Sequence, residues 1–403
     1  MLQISQKAQI MPLSPVRKLV PFAEAAKKRG VKVYHLNIGQ PDVASPAEAL
    51  DAVKNNNLKL VEYPHSAGNE SYRRGLADYY KKLGIDISPD EIIITTGGSE
   101  AIQIGFSTCF NPGDEVIVME PFYTNYNGIA TWTDVALKAV PCSVEDNFAM
   151  PPVSEFEKAI TPKTKGIVIV NPNNPTGYLY SREELEQLAL LVKKHNLYLF
   201  ADEVYREFCY TDTPHFSCMQ LKGIEENVVL IDSVSKRYSL CGVRIGAVIS
   251  HNREVMKSVL RFAQARLCSP AYGQIAGEGA LKTPASYFKG VRDEYIARRN
   301  YMVDALNKME GVYCPMPEGA FYTIVRLPVD DCDKFAQWLL EEFEYEKQTV
   351  MIAPASGFYV TKGKGLNEAR IAYVLQIDDL KNAMKCLEAA LLQYNNKNIQ
   401  SEN

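Results

Sequence analysis

The sequence predicts an α/β protein: a large domain with a mainly parallel sheet between helices, followed by a smaller α+β domain. Three observations lead there. The chain has 403 residues, more than a single hydrophobic core usually covers. Between about residues 90 and 250, short apolar β-rich runs alternate with longer helical patterns, and such runs imply a sheet covered on both faces. Beyond about residue 290 the pattern changes to a long helix followed by mixed strands and helices.

In order, residues 1–45 are expected to wrap between the two domains, with Gly39-Gln40-Pro41-Asp42 ending a β-like run in a turn. Residues 46–290 form the large domain, with strands expected at 91–95, 115–119, 166–170, 198–201, 228–231 and 247–249. Helices lie between several of these, and Ser181 with Glu184 forms a capping box that starts one of them. Residues 291–403 form the small domain. It reads as a helix near 291–308, a strand at 320–325, a helix at 334–343, strands at 350–352 and 370–373, and a final helix at 378–392. The polar tail from Asn395 is expected to fray.

Composition narrows the function classes. Hydrophobic residues at 46% and charged residues at 23% are ordinary for a globular protein, and a net charge of -4 points away from nucleic acid or an anionic membrane as partner. Nine scattered cysteines without a CxxC pair read as reduced thiols of a cytoplasmic protein, not as a disulfide framework or zinc site. The N-terminal residues lack the continuous apolar stretch of a secretory signal, and no apolar run is long enough for a membrane span. The five histidines have no metal-ligand spacing, so no metal is expected.

In mainly parallel sheets, ligands bind beyond the carboxyl ends of the strands, and four chemistry-bearing segments follow expected strands. The most informative runs from Ser233 through Ser235 and Lys236 to Arg244. A lysine amine condenses with an aldehyde, while hydroxyls and a guanidinium hold a phosphate; pyridoxal phosphate carries both groups. Taken alone, the segment is also readable as a solvated Lys-Arg turn. Asn171-Pro172-Asn173-Asn174-Pro175-Thr176-Gly177 fixes an asparagine amide at a strand end, or is simply a rigid turn. Asp202, in Ala201-Asp202-Glu203-Val204-Tyr205, is an acid at the end of a buried strand that needs a partner for its charge, unless it caps a helix. Gly97-Gly98-Ser99-Glu100 opens a helix after the strand at 91–95.

These motifs, in this order, resemble the class I/II aminotransferases, pyridoxal-phosphate enzymes of fold type I in the aspartate aminotransferase superfamily. The resemblance runs from Ser14-Pro15-Val16-Arg17 to Glu368-Ala369-Arg370-Ile371-Ala372-Tyr373. It implies a ping-pong transfer of an amino group between an L-amino acid and a 2-oxo acid. Lys236 would form the internal aldimine and act as base; Asp202 would keep the pyridine nitrogen protonated. Asn174 and Tyr205 would bond the ring hydroxyl. Arg244, Ser233, Ser235 and the backbone of Gly98, Ser99 and Glu100 would hold the phosphate. Tyr123 would stack on the ring, a place that Phe122 could also fill. Arg370 would grip the substrate α-carboxylate beside Gly39 and Asn174. Tyr63 would cross a homodimer interface to the partner's phosphate.

Two departures stand out. Tyr72-Arg73 replaces the family's usual Leu-Arg, a change expected to affect packing. Ser99 stands where bacterial aspartate aminotransferases of the nearest subgroup often carry a lysine for the distal carboxylate, so a dicarboxylate-specific enzyme needs a cation from elsewhere. Two other outcomes share the cofactor residues. One is a lyase or cyclase of the same fold type, similar to C–S lyases or aminocyclopropane-carboxylate synthase. The other is a non-catalytic binding protein, which the presence of both Lys236 and Asp202 disfavours. Aspartate, aromatic, alanine and broad-specificity members share every motif above, so the motifs leave the substrate open.

Overall fold

The structure, a computed structural model, describes residues 2–401. Its strands are β1 (Lys32–His35), β2 (Ile92–Thr95), β3 (Glu115–Glu120), β4 (Ala136–Pro141), β5 (Thr164–Val170), β6 (Tyr198–Asp202), β7 (Val228–Ser233) and β8 (Gly246–Ile249). There follow β9 (Tyr322–Arg326), β10 (Gln348–Met351), β11 (Ala353–Pro354) and β12 (Glu368–Ala372). Seven of them form one sheet in the order β2-β8-β7-β6-β5-β3-β4.

Alternating side chains of this sheet enter two separate cores, as a period of two requires when both faces are covered. Val168, Val170, Phe200, Val229 and Ile231 belong to one core, and Ile167, Ile169, Leu199, Ala201 and Leu230 to the other. Strands β3 through β7 run parallel, as expected. Strand β8 is antiparallel to both of its neighbours, β7 and β2. That reversal matters for the site. The start of β8 lies level with the ends of β2 and β7, Gly246 pairing with Thr95 and with Ser233. All four chemistry-bearing segments therefore meet at one edge of the sheet.

Two features differ from the sequence reading. Strand β4 was not expected, because Lys138 interrupts its apolar run and only Val140 in it is fully buried. The tail from Asn395 does not fray at once: the last helix continues over Ile377–Ser401, and Lys397 pairs with Glu342 at 2.7 Å. Residues 402–403 lie outside the described residues.

Strands β11, β12 and β9 form a second, antiparallel sheet, with Arg370 paired to Ile324 on one side and Ala353 on the other. Strand β1 pairs in parallel with β10, matching Lys32 to Gln348. Before it, the helix Gln6–Ile10 is tied to the end of the helix Asn125–Thr133, since Lys7 Nζ donates to Trp132 O at 2.9 Å and Asp134 Oδ2 at 2.6 Å. The chain's first residues thus touch both the large-sheet side and the C-terminal side. The long helix Ala285–Asn307 buries Tyr295, Met302 and Leu306, and its Arg298 reaches Asp42 at 2.6 Å. No helix among the described residues is long and apolar enough to cross a membrane.

Candidate active site

Lys236 stands in the short helix Val234–Arg237 directly after β7. Ser233 caps it, its Oγ accepting from the Ser235 N–H at 3.1 Å, and Ser239, in the left-handed region at φ 51°, follows its end. The Lys236 Nζ donates to Gly39 O at 2.7 Å and lies 6.0 Å from the centre of the Tyr205 ring. Gly39 leaves room for a neighbouring ring: a Cβ on it would fall 1.5 Å from Tyr322 Oη, so that side chain would have to move.

Next to the lysine, the sheet edge forms a cradle of small groups. Gly97, at φ 81°, turns the chain from β2 into the helix Gly98–Cys109. A Cβ on Gly97 would lie 2.3 Å from Arg244 Nη2, so that guanidinium is packed against the start of the helix. A Cβ on Gly246 would collide with Gly97 C at 2.6 Å and Gly98 N at 2.8 Å. The Ser233 and Ser235 hydroxyls meet at 2.9 Å beside them. The Glu100 carboxylate is turned to Thr96 N and Arg266 Nε, its Oε2 accepting from them at 2.7 and 3.2 Å. A helix N-terminus with two hydroxyls and a guanidinium beside it presents the donors that an anion such as a phosphate requires.

Asp202 ends β6 and is 5% exposed. Its partners are neutral: the Tyr126 hydroxyl and the Val204 N–H, each donating at 3.3 Å. Burial therefore raises its pKa from 3.8 to about 7, with those two hydrogen bonds opposing the rise. Asp232, near the end of the adjacent β7, makes the contrast. Burial would raise it too, but Arg237, which donates to it directly, and Arg206 hold it below the usual carboxylate value. Asp202 lacks the cation that Asp232 has.

Arg370 shows the mirror image. It is 4% exposed on β12, lies 4.5 Å over the Tyr322 ring and 5.1 Å from the Phe358 ring, and has no carboxylate partner among the described residues. Its Nη2 donates to Asn37 O at 2.6 Å and its Nη1 to Asn174 Oδ1 at 3.1 Å, while its buried Nε has no partner. The Asn174 amide is oriented by this cation: its oxygen faces Arg370 and its Nδ2 donates to Tyr205 Oη at 3.3 Å. The loop carrying Asn174 is clamped to the segment before β9, where Glu318 N and Gly319 N both donate to Gly177 O at 2.9 and 2.8 Å.

The structure thus brings Gly39, Gly98, Ser99, Asn174, Asp202, Tyr205, Ser233, Ser235, Lys236, Arg244 and Arg370 to one place. Tyr123 is half-buried beside them, its phenol pushed up to about 12 by burial, whereas Phe122 is in the core. Tyr63 is elsewhere, 82% exposed and without a hydrogen bond among the described residues. Sequence reasoning missed Tyr322, Tyr126 and Asn37. Tyr126 follows Tyr123 at helical spacing and so carried a weak local signal. Tyr322 carried none, because its contacts with Gly39 and Tyr205 span 283 and 117 positions.

The unpaired charges test whether pyridoxal phosphate fits. A buried anion without a cation, a buried cation without an anion and an anion cradle stand around one lysine. The cofactor's ring nitrogen and phosphate answer the first and the last, and a substrate carboxylate answers the second.

Comparison with known proteins agrees. The sequence profile of the aminotransferase class I and II family matches residues 31–387. The chain is 33% identical to an aspartate aminotransferase from Thermotoga maritima, over 96% of this chain and 98% of the relative. Among solved structures it resembles the Thermus thermophilus aspartate aminotransferase with maleate, at a TM-score of 0.88 and 27% identity, covering 97% of this chain and all of that one (100%). It matches a Pyrococcus furiosus alanine aminotransferase equally well, at a TM-score of 0.89 and 28% identity, with 97% and 100% covered.

Proposed function

Because the chain belongs to the class I and II aminotransferases, pyridoxal-phosphate enzymes that move an amino group between an amino acid and a 2-oxo acid, we propose a role for each residue of its site. The carrying observation is the pair of complementary unpaired charges at Arg370 and Asp202. When bound, the cofactor supplies an aldehyde that condenses with amines and a ring that accepts charge developing at the substrate Cα. Lys236 Nζ holds it between turnovers and moves the proton at the substrate Cα. Asp202 faces the ring nitrogen as a carboxylate. Asn174 and Tyr205 donate to the ring hydroxyl. The backbone of Gly98, Ser99 and Glu100, with Ser233, Ser235 and Arg244, holds the phosphate. Tyr123 covers one face of the ring. Arg370 takes the α-carboxylate in a two-bond grip, next to Gly39 and Asn174.

The same reading makes the enzyme a homodimer, with the exposed Tyr63 reaching the phosphate of the other subunit; exposed Leu60 and Val61 beside it support a covered surface. Its units are the arm at 1–45, the cofactor domain at 46–290 and the small domain at 291–403, the helix Ala285–Asn307 crossing the last division. Nine free cysteines support a reducing, cytoplasmic setting. The names of the relatives favour aspartate or a broad set of amino acids as substrate. The test is a half-reaction. Given an amino acid without oxo acid, the enzyme should release one equivalent of the new oxo acid per site, stop, and resume when an oxo acid is added. Continuous release of ammonia under those conditions would instead identify a lyase.

A further inference from the structure

On the face of the large sheet turned away from the cofactor residues lies a buried cluster of charges that the site chemistry does not use. Along β7, Ile231 enters one core and Leu230 the other, so by the same alternation Ser233 and Asp232 point to opposite faces. The Asp232 carboxylate ties together both ends of the segment that carries Lys236. Its Oδ1 accepts from the Ser233 N–H at 2.8 Å, and its Oδ2 accepts from Arg237 Nη2. Arg237 is 3% exposed, its Nη1 donates to Tyr79 Oη at 2.8 Å, and its guanidinium lies 4.6 Å from the centre of the Tyr79 ring. Tyr79 in turn donates to Glu207 Oε1 at 2.5 Å, which brings in the helix Glu70–Lys82 as a brace. Beside this pair, Arg206 bonds Glu203 at 2.9 Å and stands 4.6 Å from the Tyr80 ring. Stability does not account for the arrangement. A buried ion pair holds a fold no better than apolar residues of the same volume. Here, moreover, Arg237 Nε, Arg206 Nη1 and Tyr80 Oη are buried without a partner among the described residues, and each such donor is costly.

We propose that Arg237 is a positioning residue: clamped by Asp232 and Tyr79, it fixes the single helical turn from which Lys236 reaches the reacting atoms. This rests on the assignment of Lys236 above. The turn Val234–Arg237 is four residues long, too short to hold its own shape, so its direction has to come from outside. A planar guanidinium bonded on both arms supplies it, and leaves the neighbouring backbone little freedom to turn.

The experiment compares holoenzymes in the half-reaction with an amino acid carrying hydrogen or deuterium at Cα, and measures cofactor binding by equilibrium dialysis. Burial is the main cause of the raised Asp202 carboxyl, and the Asp232 charge adds to it, so both charges of the pair are removed together in Asp232→Asn with Arg237→Gln. This double variant should fold and keep the cofactor within about tenfold of wild type, because the helix N-terminus and Arg244 are untouched. Its kcat should fall about a hundredfold with KM little changed, the loss expected when a reacting group is misplaced by about 1 Å. The isotope effect should grow, since the proton step of Lys236 becomes limiting. In stripped protein, the rate at which the lysine condenses with added pyridoxal phosphate, followed by visible absorbance, should also fall. Arg237→Lys, which keeps the charge without the fork, should lie between the two, and it decides by the same readings if the double variant does not fold. Wild-type kcat, isotope effect and condensation rate would overturn the proposal. So would an equal change in Val259→Ala, a buried substitution in the helix Arg253–Ala265 that lowers stability alone. Normal turnover by Lys236→Ala would instead show that Lys236 is misassigned, a failure distinct from one at Arg237.

Discussion

Asp202 and Asp232 occupy neighbouring strand ends yet titrate in opposite directions, because only Asp232 has an arginine beside it. For Asp202 the consequence has a definite sign. A carboxyl whose folded pKa lies above its unfolded value makes the folded protein bind more protons, so stability is lost as pH rises. In protein stripped of cofactor the loss should begin near the unfolded value of 3.8 and be complete above about 7, amounting to about 4 kcal/mol. Urea unfolding of the stripped enzyme at pH 5 and pH 8 should show wild type losing more stability than Asp202→Asn over that interval; parallel curves would contradict it. Restoring the cofactor should reduce the difference. Arg370 makes the second residue-scale prediction. Arg370→Lys keeps the charge but not the planar fork, so KM for both the amino acid and the oxo acid should rise about tenfold or more. Cofactor content should stay near wild type. A variant that loses cofactor and keeps its substrate KM would move Arg370 out of the carboxylate site.

Strand β8 is the element on which the phosphate cradle depends, because Gly246 lets its backbone lie directly against Gly97 and Gly98. The atoms a Cβ would meet there are backbone atoms, which cannot rotate aside. Gly246→Ala should therefore separate β8 from the helix N-terminus, at a cost of about 1–3 kcal/mol in stability and at least a tenfold weaker hold on the cofactor. Equilibrium dialysis against pyridoxal phosphate measures the second effect. Gly242→Ala, which meets nothing within 4 Å, is the matched control. Elements of this kind also show what the sequence made legible. Strands β5, β6 and β7 were readable because each contains an apolar run (166–170, 198–201 and 228–231) followed by a polar motif; local order is enough to place Asn174, Asp202 and Lys236 on one edge. Strand β4 was not readable, since an edge strand needs only one buried face and Lys138 hides even that. Arg370 was legible by resemblance, but its setting was not: Tyr322, Asn37 and Asn174 reach it from three distant parts of the chain. No local period records such contacts.

At the scale of the whole molecule, the proposed dimer makes a prediction that monomer geometry alone does not. If Tyr63 completes the partner's phosphate site, mixing Lys236→Ala subunits with inactive Tyr63-variant subunits under exchange conditions should restore activity. Hybrid dimers would then hold one site with both lesions and one with neither. A fully active monomer at assay concentration, shown by sedimentation, would refute sharing. The connection of the first strand has a consequence of its own. Strand β1 pairs with β10, and Tyr34 bonds Gln348 across 314 positions of chain. During synthesis at the ribosome the first strand emerges early but has no partner until residues 348–351 have left the exit tunnel. Its Val33 and Tyr34, buried in the finished protein, must stay exposed or be shielded while the seven-stranded sheet forms around β5 to β7. The β1–β10 pairing is therefore a late, length-dependent step. Nascent chains truncated before residue 348 should remain open to protease at their N-terminal segment, even where the central sheet is already resistant.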